Sequence, residues 1–502
     1  MFGYHVVHGG FYWDDWENAA TTRYQYEAGF LGPLDLRQFL YQPGLALLLP
    51  IPHVLFGLHP SLHLALGLVL AAVMSLSLYA LLRTGGMERP YAGSIAALVL
   101  VFPWSDSTRL WATASINNVA VTLCLLGAVV GMLGLRARGR RARRLTAGSV
   151  ALYVASVLTY SVAAVFALMS LLAYMRVVPF REALRRWRID VVAVFAAMVF
   201  VGLLTTKGVQ TLSGQAHHLE TMLRQTGTLL AMALAPFGSP PRAAVGAVAA
   251  AIVALAALAA WRLPATDPAR LELRRWLVVA AGALLALAAG YALFVPGDPK
   301  YVPLAPGIYN RVNIVAAIGF ALLVQSLAVL AATLALRGAR LRVARTATAL
   351  ALSALVAVGW IRVTHDHQRT WARASVLQER VLDRIAQSRA AIPRGGTIYT
   401  FGSPIQAAAG VPVFGQSWDL DAAAKLTLHD PGVVAYPVRP TATVRCRPGS
   451  VAIHDYRFGK ALPRSYRRLV FLDVRDGRLR RIPDPAACAV AARDMGAPVR
   501  RN

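Results

Sequence analysis

The sequence predicts an all-α polytopic membrane domain of about ten transmembrane helices, followed by a small α+β domain outside the membrane. Three observations carry this expectation. Hydrophobic residues make up 57% of the 502 residues and charged residues only 15%, against about 25% charged in soluble domains. Apolar runs recur along the chain, many close to the roughly 20 residues that a helix needs to cross a bilayer. After residue 363 the pattern changes to short strand-like runs punctuated by Gly and Pro. This composition excludes a disordered or collagen-like chain, and three cysteines are too few for a disulfide scaffold. A net charge of +28 suggests nucleic acid until the charges are located, since many lie in short arginine clusters between apolar runs. The N-terminus has no basic region leading into an apolar core, so no cleavable signal is expected.

Residues 1–60 read as an outer acidic loop with interfacial helices. The transmembrane domain covers 61–363, with spans expected at 61–82, 91–103, 111–135, 147–160, 162–175, 190–205, 243–261, 276–295, 311–336 and 346–363. The run 147–175 is divided near Thr159-Tyr160-Ser161 because basic loops flank both its ends. Short basic loops stay cytoplasmic, and two on one side require an even number of crossings. The five loops assigned to the cytoplasm carry 21 Lys/Arg. The outer segments between spans carry six, namely Arg109, Lys207, Arg224, Arg242, Lys300 and Arg311. Residues 39–58 contain Pro43, Pro50 and Pro52, which break a helix interior, and 223–236 would upset the alternation. Both are expected to lie at the outer interface.

Residues 364–502 form the expected extracytoplasmic α+β domain. His365–Gln387 is amphipathic, with Ala374, Leu377, Val381 and Ile385 on one helical face. Strands are expected at Thr397–Phe401, Val433–Tyr436 and Leu469–Val474. Cys446 and Cys488 fall here as a permitted disulfide or as two buried thiols.

The most informative segment is Phe11-Tyr12-Trp13-Asp14-Asp15-Trp16-Glu17-Asn18. Aromatic residues favour the water–lipid interface, so the acidic pair sits at membrane level. Adjacent carboxylates raise each other's pKa when partly buried, which suits a general base or a shared divalent metal at Asp14 and Asp15. The alternative is a helix cap ahead of Trp16. His217, His218 and Glu220 lack a recognised metal-ligand spacing and read as a solvated loop. Trp418-Asp419-Leu420-Asp421 reads as strand-and-turn chemistry, with a carbohydrate-facing Trp418 as the other reading. There is no phosphate-binding glycine loop, dinucleotide fingerprint, nucleophile elbow or H-E-x-x-H pair, and no nucleotide cofactor is expected.

The acidic segment resembles the first external loop of the C-type glycosyltransferase superfamily, which includes protein O-mannosyltransferases and lipid A aminoarabinose transferases. The resemblance extends to the Pro-broken segment from Tyr41-Gln42-Pro43-Gly44 and to His63 opening a span. Phe102-Pro103-Trp104-Ser105-Asp106 with Trp111-Ala112-Thr113-Ala114-Ser115 is similar to a second external loop. One departure stands out. Family members place a span before the acidic loop, and residues 1–12 are too few to cross, so that span is expected to be lost or the start assigned too late.

The resemblance implies transfer of a sugar from a polyprenyl-phosphate carrier to an extracytoplasmic acceptor hydroxyl on a glycan, lipid or protein. It implies a plasma-membrane enzyme, inverting, with Asp14 as acidic base and Asp15 as its partner. Asp106 matches a second acid of some members; the alternatives are a cap or a local pair with Arg109. The departing phosphate requires outward cations. Arg311, at a span start where a charge near hydrocarbon costs a few kcal/mol without a partner, is the main candidate, with Lys207, Lys300 and His63 behind it. Against this enzyme stand a transporter or lipid flippase, and a non-catalytic cell-envelope assembly protein.

Overall fold

A computed structural model describes residues 2–25, 42–204, 211–238, 241–336, 341–455, 459–460 and 463–501. The acidic segment opens helix α1 (Asp14–Gln25). The membrane domain follows with α2 (Pro60–Thr84), α3 (Arg89–Val101), α4 (Asn117–Arg136), α5 (Gly139–Thr159) and α6 (Ala164–Tyr174). It continues with α7 (Phe180–Leu204), α8 (Leu212–Leu234), α9 (Arg242–Arg262), α10 (Pro268–Ala292), α11 (Ala316–Ala335) and α12 (Arg342–Gln387). Among the described residues six helical segments are long and apolar enough to cross a membrane. They are α2, the run Ala112–Arg136, and α9 to α12. The other expected spans fall on helices that are short (α3 and α6) or that open with arginines (α5 and α7).

Local chemistry places these helix ends. Asp267 caps α10 by accepting from the Ala269 N–H, with Pro268 in the first turn, where its missing N–H costs nothing. The chain breaks at Tyr160, where α5 ends and a short 3₁₀ turn, Ser161–Ala163, leads into α6. The Pro-rich segment forms two short helices, Pro43–Leu48 and Pro50–Phe56, each with a proline in its first turn. Residues 223–236, expected at the interface, are mostly the second half of α8.

The boundary expected at 363/364 lies inside α12, which runs unbroken for 46 residues. Its buried positions Gln368, Trp371, Ala374, Ser375, Gln378, Val381 and Ile385 keep helical spacing into the C-terminal domain. One helix therefore serves both domains.

The C-terminal domain contains β1 (Thr397–Phe401), helix α13 (Ser417–Leu428), β2 (Val434–Val438), β3 (Thr443–Arg447) and β4 (Ser450–Asp455). It ends with β5 (Leu469–Asp473), β6 (Leu479–Arg481), helix α14 (Pro485–Asp494) and β7 (Val499–Arg501). One sheet has the order β6-β5-β1-β2, with β1 parallel to both neighbours. The second pairs β3 with β4 and β7. A Cys446–Cys488 disulfide ties β3 to α14.

A hydrophobic cluster joins the two domains. Tyr12, Trp111 and Ile308 from the membrane side pack with Trp371 of α12 and with Ile398, Phe414 and Val470. The loop before Arg311 touches the C-terminal domain backbone to backbone. Gly307 and Gly410 both have positive φ, Ile308 N–H donates to Gly410 O at 2.9 Å, and a Cβ on Gly307 would lie 2.0 Å from that oxygen. Gly307→Ala is accordingly expected to destabilise the protein by about 2 kcal/mol or more, read as a lower unfolding temperature in detergent. An unchanged temperature would show that the two segments are not in contact.

Candidate active site

A cavity of about 790 Å³ opens where α1, the Pro-rich helices, the Tyr160 break and the loop 293–311 meet. Its charged lining residues are Asp14, Glu17, Asp298, Lys300 and Arg311, joined by Asn18, Asn117, Tyr160 and Tyr301, and Leu45, Leu49, Pro50, Val162 and Phe294 are among its apolar ones. A lining of both kinds suits an amphipathic ligand.

Asp14 begins α1 directly after Trp13, whose φ of 54° is rare for a residue with a side chain. The Trp13 ring packs against Trp418 of α13, with centroids 5.6 Å apart. Burial pushes the Asp14 carboxyl up to about 6, opposed by attraction to Arg311 and by a hydrogen bond from Trp418. Asp15 is fully buried. Its Oδ1 accepts from the Thr113 N–H at 2.8 Å and the Thr113 hydroxyl at 2.6 Å, and its Oδ2 accepts from the Tyr12 N–H at 3.0 Å. Desolvation raises it to about 7, against those hydrogen bonds. The two neighbours thus hold different positions: Asp14 lines the cavity, and Asp15 ties α1 to the second loop.

Arg311 lines the cavity beside Asp14. Its guanidinium lies over the Trp111 and Tyr301 rings, at 5.4 Å and 5.3 Å from the centroids, and donates to the Tyr301 hydroxyl. These contacts fix its planar fork. Lys300 stands at the same cavity, half-exposed, paired with Asp298 at 2.8 Å and lying over Tyr309. Asn313 anchors the arginine's loop. Its amide donates to Trp104 O at 2.7 Å and Pro303 O at 2.8 Å, and its Oδ1 accepts from Tyr291 at 2.6 Å.

Asp106 and His63 stand apart from this group. Asp106 is buried, bonded to His367 Nδ1 at 2.6 Å and to the Asn310 amide. Burial acts to raise its pKa, but the pull of His367 outweighs it and holds the carboxyl below its ordinary range. Asp106→Ala, which removes the partner of half-exposed His367 and of Asn310, should cost about 1–3 kcal/mol, measured as a drop in unfolding temperature; full retention would deny the Asp106–His367 pair a structural role. His63 is also buried, its Nε2 3.0 Å from Gly57 O and its ring against His53 and Phe11. Lys207 lies outside the described residues. His217 and Glu220 are exposed and 4.0 Å apart, whereas His218 is buried against Val295 O and Tyr301 O.

Tyr301 goes unmentioned in the sequence analysis, and Thr113, Asn310, Asn313 and Asp419 receive no role of their own there. The Trp418 segment, expected as strand and turn, is instead the first turn of α13. Gln416 and Asp419 form a reciprocal capping box there, which favours helix over strand. Burial lifts the Asp419 carboxyl to about 8 despite three backbone donors, and Asp14 adds to the rise. Among the described residues no three His, Cys, Asp or Glu side chains are grouped to hold a metal.

Fold and site define a polytopic membrane protein with three carboxylates and two cations lining one cavity. No protein-family model and no curated protein sequence matches the chain. Two solved structures are similar over 86% of it at 15% identity. One is an Archaeoglobus fulgidus oligosaccharyltransferase tethered to an acceptor peptide containing the NVT sequon, with a TM-score of 0.40 and 60% of that chain covered. The other is ArnT from Cupriavidus metallidurans in the apo state, with a TM-score of 0.36 and 83% covered. The chain thus spans under two thirds of the oligosaccharyltransferase's length.

Proposed function

We propose that the protein is a membrane glycosyltransferase of the C-type superfamily, taking a sugar from a polyprenyl-phosphate carrier to an acceptor hydroxyl on the extracytoplasmic side. The observation that carries this reading is the placement of Asp14 and Arg311 on one cavity that apolar residues also line. The apolar lining takes the polyprenyl chain and Arg311 takes the phosphate. Asp14 accepts the proton of the acceptor hydroxyl as its oxygen attacks the anomeric carbon. The bond from that carbon to the phosphate oxygen breaks, and its electron pair leaves with the phosphate. Arg311 and Lys300 stabilise that charge in a site partly screened from water. Attack opposite the leaving group inverts the anomeric centre. Asp15 holds α1 in place rather than touching the reacting atoms. No step requires a nucleotide.

The test is transfer of radiolabelled sugar from a polyprenyl phosphate to a lipid-phase acceptor by the full chain in proteoliposomes, followed against pH. A base of pKa about 6 is active when ionised, so the rate should rise with pH through about 6 and level off above it. Trp418 donates to the ionised form, so Trp418→Ala should move that limb to higher pH. No transfer from any polyprenyl-phosphate sugar, together with solute or lipid movement by the same vesicles, would replace the enzyme with a transporter.

A further inference from the structure

A second cavity, of about 700 Å³, lies between α6 and α10. Its floor is formed by Leu78 of α2, Leu125 of α4 and Ile318 of α11, and it is open at the side, where Leu172, Val278 and Leu285 are exposed. No acidic residue is among the described residues that line it. Arg176, just past the end of α6, and Arg275, in the second turn of α10, are its two charged lining residues. Among the described residues neither arginine meets a carboxylate. Arg275 donates to Gly86 O at 3.2 Å, leaving donors of its fork to spare.

This end is far from the Asp14 cavity. From Arg275 to the last turn of α10, which adjoins Leu293 of that cavity, the helix rises ~25 Å at 1.5 Å per residue. That is nearly a hydrocarbon thickness, so the two cavities present their charged groups at opposite faces of the membrane. The arginines also lie on the side where Arg83, Arg136 and Arg262 end their helices, at the termini of α2, α4 and α9. Short basic segments of this kind mark the cytoplasmic side.

We propose that this cleft binds an anionic phospholipid of the cytoplasmic leaflet, its acyl chains in the apolar trough and its phosphate held by Arg176 and Arg275. Charge complementarity selects the occupant. A trough open to the bilayer admits any chain, but two arginines without acidic partners at its end favour a lipid with an anionic headgroup over a zwitterionic one. Arg forks match phosphate oxygens in pairs. A bound lipid would also fill the gap between α6, only 11 residues long, and α10.

Native mass spectrometry of the purified full chain, titrated with phosphatidylglycerol or with phosphatidylcholine of the same acyl chains, tests the assignment. The wild type should retain phosphatidylglycerol about tenfold more tightly, and R176Q/R275Q should lose most of that preference. Gly282 lines the cleft, and a Cβ there meets no atom within 4 Å. Gly282→Phe should therefore fill the trough and weaken both lipids while circular dichroism stays unchanged. Equal affinity for the two lipids in the wild type would overturn the proposal, as would undiminished preference in R176Q/R275Q or displacement of phosphatidylglycerol by equimolar polyprenyl phosphate. The readout is binding without sugar transfer, so its failure is separate from failure of the proposed enzyme activity.

Discussion

Asp14→Asn is expected to lower the turnover of sugar transfer by about a hundred- to ten-thousand-fold, the range for loss of a general base, with little change in unfolding temperature. The amide is nearly isosteric and keeps an acceptor for Trp418, but it takes no proton at neutral pH. The same change at Asp15 should act differently. All three of its hydrogen bonds come from donors, and an Asn would turn an N–H₂ group toward one of them. A cost of about 1–3 kcal/mol follows from one unpaired or opposed buried donor, so Asp15→Asn should lose both stability and activity. Both acids should also leave a pH signature in stability, Asp14 through its rise to about 6 and Asp15 more strongly. A buried acid raised to about 7 binds its proton more tightly in the native state than in the unfolded chain. The stability this gives is complete below about pH 4 and is lost as pH rises through 7. Asp419, raised to about 8, adds to the same slope. Unfolding temperature in detergent should therefore fall from pH 4 to 8, less steeply in Asp15→Asn.

Arg311→Gln is the second large effect. The departing phosphate loses a fixed guanidinium, and removal of one preorganised charge donor costs about a hundred- to a thousand-fold in rate. Arg311→Lys should recover only part of it. An ammonium keeps the charge but loses the planar fork held over Trp111 and Tyr301. Polyprenyl phosphate should bind more weakly to Arg311→Gln and normally to Asp14→Asn, measured by native mass spectrometry. Normal rates in Arg311→Gln would mean that another cation holds the phosphate.

Features governed by local sequence were legible. Apolar runs mark the long helices, and Thr159-Tyr160-Ser161 marks the break between α5 and α6. The three strand expectations overlap β1, β2 and β5. Asp14 and Arg311, singled out from opposite parts of the chain, line one cavity. What the sequence hid depends on long-range pairing. Nothing local at Asp106 announces His367, 261 residues away, nor at Asp15 the Thr113 donors. Charge and hydropathy read residues 363 and 364 as a boundary because the apolar run ends there. The backbone takes no notice, since the helix continues to Gln387 without breaking. Trp418 shows the opposite error, where a capping box was taken for a turn because both use the same short polar residues.

In the proposed enzyme one cavity holds the carrier's phosphate at Arg311 and presents the sugar to Asp14. Photolabelling the full chain in nanodiscs with a benzophenone-bearing polyprenyl phosphate, followed by peptide mapping, tests it most directly. Adducts should concentrate on the Pro43–Phe56 helices and on residues 293–311, fall sharply in Arg311→Gln and persist in Asp14→Asn, although its transfer is slow. Adducts confined to other helices, or labelling of the cavity indifferent to Arg311, would contradict the account.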